Sequence, residues 1–542
     1  MQELRESLKK VISELYGIDF EPEIVVAPEN IDADYSSNAP LRLTKELHEN
    51  PFNIAEKISE KIDNTFASKP GFINFKLSDG ALSEKISALS ENFEVASDKF
   101  AGKTVICEFS DPNPFKVLHV GHLYTSVVGD SISRLFEYAG AKVVRANFGG
   151  DVGLHVAKTM YILKQKNPAE LTIEDIARCY VEGTAAYEDD ENAKAEITEL
   201  NKEIYKINAE NIHGTLISDL YWKGRELSYE YFKDFYAKIG VKFDIFYPES
   251  TVASLGLSKV LEELAAGVYE KSGDAVIFDG EKYGLHTRVF VNSEGVPTYE
   301  AKDVGLIFKK YEDYHFDKSV VITGNEQLEY MKVVLKSVEQ YAPELVEKTS
   351  HLTHGLVKLP GNVKMSSRKG NFLKAVDVLK MVSDELKNQY DSEDSKVSTA
   401  AYKYAFLKYK MGGDIIFDPE ESVKMTGNSG PYLLYSAVRA KKILAKSDAS
   451  DLENYTYNIY EKNLVKKMLE YKDVLDEAVA EMAPHKLANY LYEVAQEFSR
   501  FYENCPVVGS AEEVERIKLV KVFYNVLEHG LNILGIEIPE EM

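Results

Sequence analysis

The stretch TVICEFSDPNPFKVLHVGHLYTSVVGDSISRLFEYAGAKVVRA, residues 104–146, contains the clearest structural unit of this chain. Its first six residues are an apolar strand candidate, and residues 121–139 follow the period of a helix with one apolar face. Gly140 ends that helix, and residues 142–146 form a second strand candidate. Two strands joined through a helix by short connections run parallel with a right-handed crossover. The stretch therefore predicts a doubly wound, Rossmann-like α/β core with a parallel sheet.

Sequence patterns on either side of this core predict three domains. Residues 1–98 combine short helices with a strand-like segment at 71–77, which predicts an N-terminal α+β domain. Residues 99–385 alternate between strand and helix patterns, apart from a helical insertion at about 160–255. Apolar residues within 386–542 follow the helical period in successive segments, which predicts a C-terminal α-helical bundle.

The composition is that of an ordinary globular protein, with 44% hydrophobic and 28% charged residues in a chain of 542. Cys107, Cys179 and Cys505 are far apart, and no two form the C-x-x-C pair of a zinc or redox site. The first helix is acidic and amphipathic, unlike a signal peptide, and no run of 18 apolar residues exists. These features predict a cytoplasmic protein with no membrane span and no protein-bound metal.

The formal charge of −24 weighs against a general nucleic-acid binder, because affinity for RNA depends on lysine and arginine near phosphates. An acidic protein that binds RNA must therefore concentrate its basic residues locally. Such clusters occur at residues 358–374 and 439–446. Each cluster is either an RNA contact or a solvated charged face.

The motif His119-Val120-Gly121-His122 lies at the junction between the first strand and its helix. In a parallel sheet, ligands bind at the carboxyl ends of strands, where helix N-termini offer free N–H groups. Two histidines one helical turn apart would direct ring N–H groups at a triphosphate, and Gly121 leaves room for an adenine ring. The alternatives are incidental histidines at a helix start, or a two-histidine metal site that lacks its other ligands.

A second motif, KMSSRKG at residues 364–370, is a cationic loop that ends in glycine. Such a loop can close over a pyrophosphate leaving group and neutralise its charge, or it is an exposed basic surface loop. The chain has neither a G-x-x-x-x-G-K-[ST] nor a G-x-G-x-x-G motif, which argues against P-loop ATPases and dinucleotide enzymes.

These two motifs, in this order on an α/β core, resemble those of the class I aminoacyl-tRNA synthetases, and of the arginyl-tRNA synthetase family in particular. Residues 110–123 (SDPNPFKVLHVGHL), residues 427–432 (GNSGPY) and the ending LGIEIPEEM are similar to its signatures. The resemblance implies ATP-dependent activation of L-arginine, with Mg²⁺ accompanying the ATP, and transfer of arginine to the 3′-terminal ribose of tRNA(Arg). It also implies a monomer with an N-terminal domain on the outer corner of the tRNA and a C-terminal anticodon-binding domain.

The resemblance further assigns individual residues to ATP and to arginine. The ATP-binding residues are His119, Gly121, His122, Lys364, Met365, Ser366 and Ser367, and the catalytic residues are His119, His122, Lys364 and Lys116. The arginine-binding residues are Asn113, His119, Tyr299, Asp303 and Gln327, with Glu270 as a further carboxylate. Carboxylates suit arginine because its planar cation presents five donors in a fixed fork. The alternative for Tyr299 and Asp303 is a strand-end aromatic followed by a helix N-cap.

Three departures from the family pattern affect these expectations. Val152 and His155 stand in GDVGLH where Gly-Asp-Trp-Gly-x-Gln is usual, so one wall of the pocket is expected to differ. Glu541 stands where arginine is common, which weakens the expected contact of the C-terminus with the anticodon loop. A catalytically altered tRNA-binding paralogue and an H-x-G-H nucleotidyltransferase remain as alternatives, although the motif residues are intact.

Overall fold

The computed structural model describes residues 2–28, 30–361, 373–446 and 455–542. The first elements are α1 (Gln2–Tyr16), β1 (Val25–Val26), β2 (Tyr35–Ser37), α2 (Ala39–Leu47), α3 (Pro51–Ser59), β3 (Thr65–Ser68), β4 (Phe72–Phe75) and α4 (Asp79–Glu91). The strands form an antiparallel sheet in the order β1-β2-β4-β3. Ile73 and Phe75 of β4 pack with Leu8 and Ile54 in a core of their own, as expected for an α+β domain.

The central part of the chain alternates strands and helices. Its first half contains β5 (Thr104–Glu108), α5 (Val120–Tyr138), β6 (Lys142–Gly149), α6 (Leu154–Lys166), α7 (Ile173–Asp189), α8 (Glu191–Ala209), α9 (Leu216–Ile239), β7 (Ile245–Pro248) and α10 (Glu249–Ala266). Its second half contains β8 (Glu270–Ser272), β9 (Ala275–Phe278), β10 (Arg288–Val291), α11 (Tyr299–Tyr314), β11 (Lys318–Gly324), α12 (Leu328–Glu339), α13 (Pro343–Glu347), β12 (Thr349–His354) and β13 (Val357–Lys358).

Five of these strands form a parallel sheet in the order β12-β11-β5-β6-β7. The chain leaves β5 in one direction towards β6 and β7, and later returns to the other side of β5 with β11 and β12. The order of strands therefore reverses between β5 and β11, which opens a crevice at their carboxyl ends. This arrangement confirms the predicted doubly wound core.

The helices α6 to α9 project from the sheet around a separate apolar core, in which Val156, Met160, Ile176, Ile204 and Tyr221 are buried. This is the helical segment expected at about residues 160–255. Strand β7 falls inside that range yet pairs in parallel with β6, so the chain has rejoined the sheet before residue 255. The antiparallel sheet β10-β9-β8 lies next in the chain, before α11.

The C-terminal part of the chain is helical, as predicted. It contains α14 (Ala375–Tyr390), α15 (Ser395–Leu407), β14 (Ile415–Ile416), α16 (Pro419–Ser422), α17 (Gly430–Leu444), α18 (Ile459–Leu469), α19 (Tyr471–Glu481), α20 (Pro484–Asn504) and α21 (Glu513–Ile533). Its apolar faces share one core with α5, in which Val127 and Phe136 belong to the same cluster as Leu491 and Phe523. The helical bundle is thus packed on the helix that follows the first sheet strand.

In the part of the chain that the structure describes, no helix combines the length and the apolar character that crossing a membrane requires.

Candidate active site

A cavity of about 560 Å³ lies at the reversal of the strand order, beyond the carboxyl ends of β5 and β11. Seven of the residues predicted from the sequence line it: Asn113, His119, Gly121, His122, Tyr299, Asp303 and Gln327. They come from the loop after β5, the first turn of α5, the first two turns of α11 and the short 3-10 helix Asn325–Gln327. The fold therefore brings together residues that lie more than two hundred positions apart in the chain.

The two histidines cap the first turn of α5. The backbone N–H of Gly121 donates to Nδ1 of His119, and the backbone N–H of His119 donates to Nδ1 of His122, each at 3.1 Å. Because Nδ1 is the acceptor in both rings, a neutral ring carries its proton on Nε2. Burial lowers the pKa of His119 to about 4 and that of His122 well below its usual value, so both rings are neutral at physiological pH. Each ring therefore contributes an uncharged Nε2–H donor.

Gly121 is required by the close approach of the His119 ring. A Cβ at this position would lie 2.9 Å from Cε1 and Nδ1 of that ring. The His119 and His122 rings are themselves stacked, with centroids 3.8 Å apart. Within the described residues, no three His, Cys, Asp or Glu side chains are grouped to hold a metal ion, so the two-histidine metal site lacks further ligands there.

The residues after the second motif contact the first motif. Lys364, Met365, Ser366 and Ser367 lie outside the described residues. Leu373, where description resumes, accepts a hydrogen bond from the N–H of Val120 at 2.9 Å, and Lys374 forms a β-bridge with His119. The residues that follow the KMSSRKG segment, from Leu373 onwards, thus lie beside the histidine motif.

Asn113 is held in one orientation by the loop after β6. The backbone N–H of Gly150 donates to Oδ1 of Asn113 at 2.7 Å, so the amide presents its Nδ2 donors to other partners. A Cβ on Gly150 would lie 2.9 Å from Oδ1 of Asn113 and 3.1 Å from the Glu249 carboxylate. A glycine is needed here because three groups meet at this point of the cavity wall.

Asp303 lies inside α11, one turn beyond Tyr299, and accepts a hydrogen bond from the hydroxyl of Tyr330. The N-cap of α11 is Thr298, so the N-cap alternative for Asp303 is wrong. Burial and the charges of Glu108 and Glu249 raise the pKa of Asp303 to about 7, against the lowering effect of the hydrogen bond from Tyr330. Tyr299 is the first residue of the helix and is 56% exposed, which leaves its ring at the mouth of the cavity.

Glu249 is a buried carboxylate of the cavity that the sequence analysis missed. It begins α10, directly after β7, and its Oε2 accepts from Nζ of Lys302 at 2.8 Å. Lys302 also donates to the hydroxyl of Tyr205, from the helical segment, at 3.0 Å. The only sequence signal for Glu249 is its place at the carboxyl end of a sheet strand, where ligands bind.

Glu270, the carboxylate that the sequence analysis named instead, does not line this cavity. It is an exposed residue of β8 and forms an ion pair with Lys282. Lys116 is not a lining residue either, but it is close by. Its Nζ lies 4.9 Å from the ring centroid of Tyr180, and burial lowers its pKa to about 8.

The two departures near Gly150 are both buried. Val152 is fully enclosed in the core of the helical segment, and Nε2 of His155 lies 2.7 Å from the carbonyl oxygen of Gly150. His155 thus bonds to the loop that holds Asn113. The third departure, Glu541, is exposed near the end of the chain.

Two further acidic residues of the cavity are Glu108, the last residue of β5, and Asp111, in the loop after it. Glu108 is buried and is paired with Nζ of Lys310 at 2.5 Å. Asp111 accepts from the N–H of Phe148 at 2.8 Å. Burial and the charge of Glu108 raise the pKa of Asp111. A charged residue at the end of an otherwise apolar strand was a sequence signal for Glu108.

A second cavity, of about 890 Å³, opens between α17 and α20 in the helical bundle. The Arg439 guanidinium lies 4.5 Å from the ring centroid of Tyr435 and 4.8 Å from that of Tyr502. Both tyrosines are partly exposed. Lys442, Lys446 and the C-terminal Met542 complete this lining. The basic cluster at residues 439–446 is therefore part of a concave surface with aromatic rings.

Comparisons with known proteins identify the family that each part of the chain matches. Residues 85–415 match the catalytic domain of class I (R) tRNA synthetases, residues 433–542 the DALR anticodon binding domain, and residues 2–77 the arginyl-tRNA synthetase N-terminal domain. An arginine–tRNA ligase of Treponema denticola is 27% identical over 100% of both chains. One from Lactobacillus delbrueckii subsp. bulgaricus is 30% identical over 92% of each.

A solved structure has the same fold. Thermus thermophilus arginyl-tRNA synthetase matches this structure with a TM-score of 0.83 over 100% of both chains, at 23% identity. The family match covers the whole parallel sheet and the cavity at its carboxyl edge. The chain therefore belongs to the arginyl family of class I tRNA synthetases.

Proposed function

We propose that this chain is an arginine–tRNA ligase that uses the cavity between β5 and β11 for both steps of its reaction. ATP and arginine form arginyl-adenylate and pyrophosphate, and the terminal ribose of tRNA(Arg) then takes the arginine and releases AMP. The observation that carries the proposal is the meeting of the histidine-capped helix α5 with the buried carboxylates of Asp303 and Glu249.

The carboxylates form the part of the cavity that suits an arginine side chain. Asp303 has one oxygen bonded to Tyr330, and Glu249 has one oxygen bonded to Lys302. Each carboxylate keeps a second oxygen for the guanidinium, whose donors lie in one plane. A substrate without the guanidinium would leave the second oxygen of each buried carboxylate without a partner, which gives steep selection. Tyr299 covers the mouth of this pocket.

The first turn of α5 is the proposed ATP site. The Nε2–H groups of His119 and His122 are uncharged donors, and the helix N-terminus adds a positive dipole end for phosphate. Mg²⁺ enters with ATP as part of that substrate. Lys364 of the adjoining motif is proposed to stabilise the pyrophosphate as it leaves, and Lys116 to assist it.

No side chain acts as a nucleophile in this mechanism. The arginine carboxylate attacks the α-phosphate in line, and pyrophosphate is expelled. The 2′-hydroxyl of the terminal ribose then attacks the activated carbonyl. Catalysis by this chain rests on orientation of the two substrates and on stabilisation of developing charge. Asn113 and Gln327 are proposed to hold the α-carbon end of arginine.

The cavity between α17 and α20 is the proposed anticodon site. Bases of a single-stranded loop can stack on exposed aromatic rings, and arginine and lysine bind the phosphates. Tyr435, Tyr502 and Arg439 supply both kinds of contact. A monomer in the cytoplasm is part of the same proposal.

Arginine-dependent exchange of pyrophosphate into ATP, measured with and without tRNA(Arg), tests the activity. Exchange with arginine, followed by charging of tRNA, is the expected result. Exchange without any need for an amino acid would identify a nucleotidyltransferase instead. Binding of tRNA without exchange or charging would identify a catalytically altered paralogue.

A further inference from the structure

The substrate cavity is lined by many more acidic than basic side chains. Five carboxylates line it, and among the residues that the structure describes Arg288 is the only lysine or arginine to do so. Two nearby lysines, Lys302 and Lys310, are only 4% and 2% exposed and pair with carboxylates of the lining. These lysines are therefore used within the fold, whereas the side chain of Arg288 is 34% exposed. Arg288 is thus a basic group of the lining that a ligand can reach.

Arg288 is held in place from two sides. It begins β10, and its Nη1 donates to Oε1 of Glu300 at 3.2 Å. Its guanidinium lies 5.2 Å from the ring centroid of Tyr330. An arginine has five N–H donors, so one bond to Glu300 leaves most of them for another partner. In the described part of the chain its Nε is buried without a hydrogen-bond partner, so the guanidinium is fixed but not satisfied.

Neither small substrate accounts for this cation. The hydroxyl of Tyr330 donates to Asp303, so Arg288 borders the end of the cavity that is proposed to hold the guanidinium of arginine. Two like charges repel, which weakens arginine binding unless the protein cation serves another ligand. The triphosphate of ATP is proposed to bind the first turn of α5, which follows β5 and not β10.

A third anion enters the cavity under the proposed function, on which this inference rests. The terminal ribose of the tRNA must reach the arginyl-adenylate, and a phosphodiester joins that ribose to the preceding nucleotide. Thr298 Oγ1 donates to the carbonyl oxygen of Val289 at 2.7 Å, which joins β10 to the start of α11 at the mouth of the cavity. Val289 and Tyr299 are 40% and 56% exposed there. Arg288 therefore lies where an incoming strand passes, and a guanidinium binds phosphate through two parallel N–H donors.

We propose that Arg288 binds the phosphodiester that precedes the terminal ribose of tRNA(Arg) and so positions this ribose for the transfer step. In that step the ribose oxygen replaces AMP at the carbonyl carbon of arginine, and Arg288 orients the incoming ribose without bonding to the reacting atoms. Every tRNA has this phosphodiester, so the contact aligns the substrate and does not select among tRNAs.

The test compares two RNAs in two proteins. Filter binding measures the affinity of the full chain for tRNA(Arg) and for tRNA(Arg) that lacks only its 3′-terminal nucleotide, and with it the phosphodiester in question. The wild type should bind the complete tRNA more tightly. In Arg288→Met this preference should shrink about ten- to a hundredfold, because charge-assisted hydrogen bonds to one phosphate are lost. Methionine keeps an apolar side chain against Tyr330.

The affinity for arginine, measured by calorimetry, separates this contact from a purely structural role. It should not fall in Arg288→Met if the contact is to RNA. If Arg288 only supported Tyr330 and Glu300, the variant would bind arginine more weakly and keep the preference for the complete tRNA, and that result would overturn the inference. Arg288→Lys should restore part of the preference, because it retains a cation for the phosphate.

Two further variants complete the experiment. Lys282→Met is the matched control, since Lys282 is an exposed cation between β9 and β10 that pairs with Glu270, and it should keep the preference. If Arg288→Met does not fold because Glu300 has lost its partner, the double variant with Glu300→Gln removes both charges and should show the same loss of preference. A wild type that binds both RNAs equally would overturn the inference. A wild type that does not charge tRNA(Arg) would instead overturn the proposed function.

Discussion

Asp303 couples arginine binding to a proton. Its pKa of about 7 means that the free protein holds it partly protonated at neutral pH, whereas a guanidinium binds the ionised form. Affinity for arginine should therefore rise as pH increases from 6 to 8, by about tenfold for one such proton, and level off above the pKa. The low pKa values of His119 and His122 keep both rings neutral over this range. Calorimetry at several pH values measures the effect.

The variant Asp303→Asn is the control for this prediction. It should bind arginine more weakly, by about 3–5 kcal/mol if the desolvated pair is broken from one side. The rise of its arginine affinity between pH 6 and 8 should also disappear, because asparagine does not titrate. A variant with the wild-type slope would show that another group carries the proton.

Gly121 offers a second test at the level of one residue. Gly121→Ala places a methyl group 2.9 Å from the His119 ring, so the ring must move away from its capping position. Pyrophosphate exchange should fall roughly ten- to a hundredfold, because small misplacements of a positioning group are costly, while arginine affinity stays near wild type. Gly80→Ala in α4 is the matched control, since the atom nearest to a Cβ at that position is Oγ of Ser78, 4.0 Å away. Equal losses in both variants would contradict the prediction.

At the level of elements, the ion pair Glu249–Lys302 joins the start of α10 to α11 beneath the substrate cavity. Both side chains are buried, at 6% and 4% exposed. Lys302→Met should destabilise the fold by about 3–5 kcal/mol, because Glu249 is left buried without its partner. The urea midpoint can be followed through Trp222, the single tryptophan, which lies in α9.

Two further variants separate charge from packing at this pair. The double variant Glu249→Gln with Lys302→Met should recover much of the lost stability, since no buried charge remains. Lys309→Met, on the same helix but paired with Asp313 at the surface, should change stability by less than about 1 kcal/mol. A Lys302→Met protein as stable as Lys309→Met would refute the structural role of the pair.

The elements around β5 were predictable because their signals are local. The helical period and Gly140 placed α5 within one residue at each end, and the first strand ended one residue early, at Glu108. Strand β6 runs on to Gly149, beyond the predicted Ala146, because its last residues pair with β7. That pairing joins segments almost a hundred residues apart, which no local pattern records.

The site residues also differ in whether a local sequence signal identifies them. His119, Gly121 and His122 form one short motif, and the structure places all three at one cavity. Glu249 has no motif, since its role depends on where a short strand meets the sheet. Glu270 has no motif either, and the structure places it on a different sheet. Sequence analysis thus recovered contiguous signatures and missed a contact made only by the fold.

At the level of the whole molecule, the helical bundle cannot be removed to test tRNA binding. Its helices share a core with α5, so deletion of residues 440–542 would expose Val127 and Phe136. A defect in charging would then follow from misfolding of the catalytic domain. A point variant in the cavity between α17 and α20 is the sharper experiment.

Arg439→Ala provides it. The variant removes a guanidinium stacked between Tyr435 and Tyr502 and bonded to the Tyr435 hydroxyl at 2.8 Å. If this cavity binds the anticodon loop, tRNA affinity should fall about tenfold or more. The slope of the logarithm of the binding constant against the logarithm of the salt concentration should become shallower by roughly 0.7 to 0.9, as expected for the loss of one phosphate contact. Affinities for arginine and ATP should not change, because the substrate cavity is lined by other elements.

The control variant is Arg500→Ala, which removes an exposed arginine of α20 that pairs with Glu497. Filter binding measures the affinity of each variant for tRNA(Arg) at several salt concentrations. Equal affinities and equal salt dependence in the two variants would show that the anticodon binds elsewhere.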